Sequence, residues 1–217
     1  MLEVPPAYGN MRRAFAYLCQ TRGIAPEVVS AFARKGLLYE SADHHNAVFV
    51  GRDEQGEIRH LHARGTLTGS HFRQTLPGSE KEYSFHWPGT SGKLYAFEAP
   101  IDMLSYISLH PEGWLNHTYV ALCGVSAAPI HHLLETQPQL EEVTLCIFRP
   151  SESKETVGVS PPSREKQVQV HGRESTGVLF GKKWQRNASQ SAPPRVIYSD
   201  WNPFLLRMES SPSMRIL

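Results

Sequence analysis

The chain has 217 residues, 40% hydrophobic and 20% charged, with a net charge of +1. That is room for one or two domains with a real core, and no apolar run approaches the ~20 residues that cross a bilayer, so no membrane partner is expected. Its three cysteines, Cys19, Cys123 and Cys146, lie far apart without a C-x-x-C pair, which excludes a zinc ribbon or a disulfide framework and reads as reduced core thiols.

In chain order, Pro5-Pro6 opens an extended lead-in, and Asn10 is placed to cap a helix over 11–20 with Met11, Phe15, Leu18 and Cys19 on one face. Ala25-Pro26 starts a second helix, buried through Val28, Val29 and Phe32 and stopped by Gly36. Ala47–Val50 is a β-type run, Arg52-Asp53-Glu54-Gln55-Gly56 is turn chemistry, and 57–64 returns as its partner. A further strand is expected over 83–87. From Lys93 the rhythm becomes strand (94–97), helix (101–109), strand (119–122), helix (127–135), strand (143–148), which predicts a parallel sheet. The fold class is therefore α/β: an α+β N-terminal part over 1–92, a parallel-sheet part over 93–148, and an irregular tail over 149–217.

The charge balance changes at the same place. Residues 1–148 carry 11 Lys and Arg against 15 Asp and Glu, a balance of −4, whereas 149–217 carry 11 against 6, a balance of +5. The tail holds eleven serines and seven prolines, and its apolar pieces, 177–181, 195–198 and 201–206, are isolated. Such a segment buries little surface with which to order itself.

Several constellations bear on chemistry. Glu98 ends the strand 94–97 and Asp102 begins the next helix. Two acids at the C-terminal edge of an α/β sheet suit Mg²⁺, and an acid at a helix start equally suits the helix dipole. His60 and His62 alternate on one strand and face the same side. With His44, His45 or His71 they would make a transition-metal site; alternatively they line a solvated face that meets phosphates together with Arg64 and Arg73. Arg52, Arg59, Arg64, Arg73 and Lys81 are interspersed with Phe72, Tyr83 and Trp87, a set that can hold a nucleic-acid backbone and stack bases, or that is simply scattered solvated charge. Gly124-Val125-Ser126-Ala127-Ala128 is similar to a nucleophile elbow but ends in Ala128, and it reads equally as a tight strand-to-helix turn. His131-His132 is expected on a helix surface. No phosphate-binding glycine motif occurs. The N-terminus lacks a secretory layout, which points to the cytoplasm and makes the sequon at Asn116 a chance match.

The pieces Arg12-Arg13-Ala14-Phe15-Ala16-Tyr17-Leu18, Thr21-Arg22-Gly23-Ile24, 46–53, 60–66, Phe72-Arg73, Gly78-Ser79 and Phe97-Glu98-Ala99-Pro100-Ile101-Asp102 occur in an order that resembles a known family. In this family of mobile-element and plasmid proteins, an uncharacterised primase-like domain precedes a Toprim domain; the order is also similar to the catalytic core of bacterial primases. The resemblance implies a Toprim site in which Glu98 is a metal ligand or general acid/base and Asp102 is the second acid, with Mg²⁺ as cofactor. It implies DNA or RNA as partner; the basic and histidine residues described above, Arg52, His60, His62, Arg64, Arg73 and Lys81, are the contacts expected for it, and replication or conjugation proteins are expected as further partners. Its third and fourth acids, an Asp-x-Asp after the third strand, are replaced here by Phe148-Arg149-Pro150. Metal-dependent phosphoryl transfer is therefore expected to be impaired. The alternatives are a non-catalytic binding module and a Toprim nuclease. The step at 148 fits a shifted reading frame or a truncated relative with an unrelated extension.

Overall fold

The structure, a computed structural model, describes residues 1–67, 69, 71–124, 126–147, 178–179, 182–183 and 194–199. It is a mixed α/β chain in which a helical hairpin and an antiparallel sheet precede a mainly parallel sheet. The first helix, α1 (Arg12–Ala16), is shorter than its apolar spacing predicts. Asn10 does serve its start, accepting the Arg12 N–H at 3.1 Å. After Ala16 the chain widens into a π-helical turn over Tyr17–Thr21, where the Arg22 N–H reaches back to the Tyr17 carbonyl. That turn leaves Tyr17 and Leu18 buried and Cys19 only half so. The second helix, α2 (Pro26–Arg34), has Pro at its first turn and buries Val28, Val29 and Phe32, as its sequence predicts. Gly36, at φ +68°, ends it in the left-handed region that favours glycine.

Four strands follow: β1 (Leu38–Glu40), β2 (Ala47–Arg52), β3 (Ile58–Arg64) and β4 (Arg73–Thr75), antiparallel in sequence order. The short edge strands β1 and β4 carry too little alternation to be seen in advance. The β2–β3 turn is closed by Asp53, whose carboxylate accepts the backbone N–H of Gln55 and Glu57 and the Arg59 Nε–H at 2.6 Å. Val48, Val50, Leu61 and Ala63 form one apolar face. The other face, with Phe49, turns toward α2 and the second sheet. Gly51 permits a backbone crossing there: a Cβ at this position would land on the Tyr83 carbonyl.

The second sheet runs β11-β8-β6-β7-β5. Its members are β5 (His86–Trp87), β6 (Lys93–Phe97), β7 (Thr118–Ala121), β8 (Glu142–Cys146) and β11 (Arg195–Tyr198). A two-stranded ribbon, β9 (Val178–Leu179) and β10 (Lys182–Lys183), lies between β8 and β11 in the chain. All pairings in this sheet are parallel except β5 with β7. Strand alternation sends Leu94, Ala96, Val120, Val143 and Leu145 to the face covered by α4 (Ala128–Thr136). Phe97, Tyr119 and Cys146 go to the face covered by α3 (Pro100–Leu109) and α2. Arg195–Tyr198, expected to stand alone in the tail, instead pairs with β8, and Val196 packs on the α4-side cluster. Its β-branched Val-Ile pair supplies a strand that the surrounding Pro and Ser had masked.

One buried cluster joins the two parts. Phe32 of α2 packs its ring on Phe85, Trp87 and Trp114, and Phe85 packs on Phe49 of the first sheet. This cluster and the β5–β7 pairing both cross the boundary expected at residue 92. Phe32→Ala is expected to lower stability by about 3–5 kcal/mol, and Gly51→Ala by about 1–3 kcal/mol through overpacking. Urea denaturation of each variant checks both, and a loss under ~0.5 kcal/mol would place either residue outside these roles.

Candidate functional site

The parallel sheet winds in two directions from β6. Through α3 the chain passes to β7 on one side, and through α4 it crosses to β8 on the other. In open α/β sheets the crevice beyond the strand ends at such a reversal is where ligands bind. Glu98 follows β6 directly at this edge and is exposed; Asp102 lies in the first turn of α3 and is half-buried. The two acids therefore stand at the same sheet edge, on a strand end and on the helix that follows it. Phe148, Arg149 and Pro150, which succeed β8, lie outside the described residues. Among the described residues no group of three or more His, Cys, Asp or Glu side chains could hold a metal ion. Magnesium is commonly held through one or two carboxylates, with water and substrate oxygens completing about six ligands; at this edge Glu98 and Asp102 would be those carboxylates.

In the β7-to-α4 turn the residue in the left-handed region is Cys123, a non-glycine at φ +51°, and the Ser126 hydroxyl accepts the Ala128 N–H at 3.3 Å. Burial pushes the Cys123 and Cys146 thiols up to about 12, so both are held as thiols at neutral pH. All three cysteines are unpaired with one another, as their spacing predicts.

The basic and histidine residues divide sharply. His60 is 1% exposed, and its Nδ1 is buried without a hydrogen-bond partner. His62 donates to or accepts from Thr75 Oγ1 at 3.1 Å and lies against Phe49. The two share a face, as alternation predicts, but that face turns inward, because Phe49 and Gly51 of β2 bring it against the core. Burial lowers the His60 pKa to about 4, with His62 adding to it. Burial likewise lowers His62 to about 4, reinforced by Arg64 and Arg73. Neither imidazole is a cation offered to phosphate at neutral pH. Arg52 spends its guanidinium on the carbonyls of Gly56 and Gly36, at 2.6 and 3.2 Å. Arg64 donates from Nε to the Tyr17 hydroxyl at 3.1 Å. Arg73 and Lys81 are exposed.

Two arrangements escaped sequence reasoning. Glu40 is 1% exposed, and its Oε2 accepts the N–H of Arg13 and of Ala14, both at 2.9 Å. Its Oε1 meets His45 Nδ1 at 2.6 Å. A carboxylate on a strand thus caps a helix far away in sequence, and only a buried glutamate in an apolar strand could have signalled it. His132, expected on the surface, is half-buried: its Nε2 meets Glu54 at 2.7 Å and its ring packs on Tyr83. That contact ties α4 to the β2–β3 turn.

A protein family of unknown function (DUF3991) matches residues 16–91. The chain is 28% identical over 120 residues to an uncharacterized protein of Bacillus anthracis, covering 52% of this chain and 35% of that one. Among solved structures it is similar to the primase fragment of the bacteriophage T7 primase-helicase, with 18% identity, 61% of this chain and 53% of that one covered, and a TM-score of 0.42. The E. coli primase catalytic core has 16% identity, 64% and 56% coverage and a TM-score of 0.41. The zinc-binding and RNA polymerase domains of the Aquifex aeolicus primase have 18% identity, 63% and 42% coverage and a TM-score of 0.42. The chain thus spans about a third of the curated relative and about half of these primase chains. Among the described residues no helix is long and apolar enough to cross a membrane.

The buried histidines set a pH dependence. Unfolded, each imidazole titrates near 6.5; folded, near 4. Between these values the unfolded chain binds more protons, so their contribution is complete above about pH 6.5 and is lost as pH falls toward 4. NMR titration should find both rings neutral at pH 6, and urea midpoints should fall through that window; a His60 ring that protonates near 6.5 would contradict its burial.

Proposed function

We propose that the chain is a primase-like, Toprim-type protein of a mobile element that binds nucleic acid, with its Mg²⁺-dependent phosphoryl transfer impaired. The observation that supports this reading most is the placement of Glu98 and Asp102 at the edge of a parallel sheet where the winding reverses. Glu98 would be the metal ligand or general acid/base and Asp102 the second acid. Arg73 and Lys81 are the sequence-expected contacts that remain exposed for a phosphate backbone, and Arg64, paired with Arg73, is half-buried. Replication or conjugation proteins are the partners that suit such a role.

A non-catalytic binding module is the second reading, and a specific observation favours it. The sequence after β8 reads Phe148-Arg149-Pro150 where the remaining acids would stand, and two carboxylates hold Mg²⁺ weakly without further oxygen ligands. The same shortage weighs against a Toprim nuclease.

The chain is expected to bind a single-stranded oligonucleotide at low salt, with affinity falling steeply as salt rises. With template, nucleotides and Mg²⁺ it is expected to form no primer above background. Template-dependent products that disappear in Glu98→Gln would replace impairment by activity, and absence of both binding and products would remove the nucleic-acid reading.

A further inference from the structure

We propose that one end of the antiparallel sheet is the surface on which a single-stranded nucleic acid lies, its phosphates against Arg12, Arg13 and Arg73 and its bases against Tyr8 and Phe72. The inference rests on the nucleic-acid reading above and adds the surface and the strand class.

Strand register assembles this surface from segments that are distant in sequence. Glu40 pairs with Ala47, Ala47 with Arg64, and Arg64 with Arg73, so these four residues form one row across the sheet. At ~4.8 Å per strand the row spans about 14 Å. Tyr8 extends it outward, its N–H donating to the Glu40 carbonyl at 2.8 Å and its ring packing edge-on against His45. Phe72 lies next to Arg73 at the opposite end, its carbonyl accepting the Gly65 N–H. The Glu40 side chain fixes the start of α1 at the same row, which sets the exposed Arg12 and Arg13 beside it.

Among the described residues the charge at this end is unbalanced, although residues 1–148 are net acidic. Among the described residues no carboxylate lies within ion-pair distance of Arg12, Arg13, Arg64 or Arg73. Glu40 is buried with both oxygens engaged by the α1 backbone and His45, and the exposed acid of the neighbouring turn is Asp43. Arg64 and Arg73 stand directly opposite each other on adjacent strands, an arrangement of like charges that destabilises a sheet. A bound polyanion supplies the missing counter-charge. Tyr8 is 45% and Phe72 42% exposed, so each offers ring surface to a base. Only unpaired bases have faces free for such rings, which selects a single strand over a duplex.

Fluorescence anisotropy with a labelled oligothymidylate tests this, with an oligouridylate and a DNA duplex as comparators. The full chain carrying Arg12→Gln, Arg13→Gln and Arg73→Gln together should bind at least ~10-fold more weakly, with the salt slope reduced by about 2, the value for three lost phosphate contacts. The three Lys replacements should restore affinity and slope. Tyr8→Ala with Phe72→Ala should weaken binding and leave the slope unchanged. Circular dichroism confirms that each variant is folded. If the unaltered chain binds and the triple Gln variant binds equally well, the surface is elsewhere and only the nucleic-acid reading survives. If the duplex binds more tightly, the strand class is wrong. If the unaltered chain binds none of the three, both readings fall.

Discussion

The ring of Phe32 is the constraint on which the arrangement turns. It projects from α2 into a space bounded by Phe85, Trp87 and Trp114, while Phe85 carries the contact on to Phe49. Aromatic rings of this size bury ~150–250 Å² each and pack only at a narrow range of separations. The helical hairpin therefore acts as a spacer of fixed thickness between two sheets. The acidic edge of the parallel sheet and the arginine row of the antiparallel sheet belong to different halves of the chain, and this spacer is part of what holds their mutual placement.

The electrostatics follow from the same packing. The face of β3 that meets Phe49 cannot solvate an imidazolium, so His60 and His62 are kept neutral. Arg64, two residues further along the same face, is half-buried and donates to the Tyr17 hydroxyl. Along one strand the chain thus passes from a buried imidazole to a half-buried guanidinium within five residues. Glu40 makes the opposite use of burial: its charge is spent on helix N–H groups and not on the nearby arginines. The acid that would have neutralised this corner faces inward.

Much of the fold was readable in the sequence because its longer elements carry strong periodicity. The α2 stripe, the β2–β3 hairpin with its Asp53 turn and the alternation from Lys93 all fall within a residue or two of expectation. What escaped was either short or non-local. β1 and β4 have three residues each, too few to show a period. The π-turn at Tyr17–Thr21 follows from tertiary contact, not from local preference. At the candidate sites, the position of Glu98 and Asp102 on one sheet edge was legible because a strand end and a helix start lie four residues apart. The row from Tyr8 to Arg73 was not, because its members meet only through strand register. His60 was misjudged for the same reason: alternation gives the side a residue faces, but not whether that side is wet.

The pairing of β11 with β8 bears on how the chain is made. Without Arg195–Tyr198, β8 would be the outermost parallel strand, with a row of open N–H and C=O groups over an apolar Val-Thr-Leu-Cys sequence. Such an edge invites association with another copy. The protecting strand is separated from β8 by almost fifty residues and must close a long loop before it can pair. On a growing chain the open edge of β8 emerges first and its cover, Arg195–Tyr198, much later.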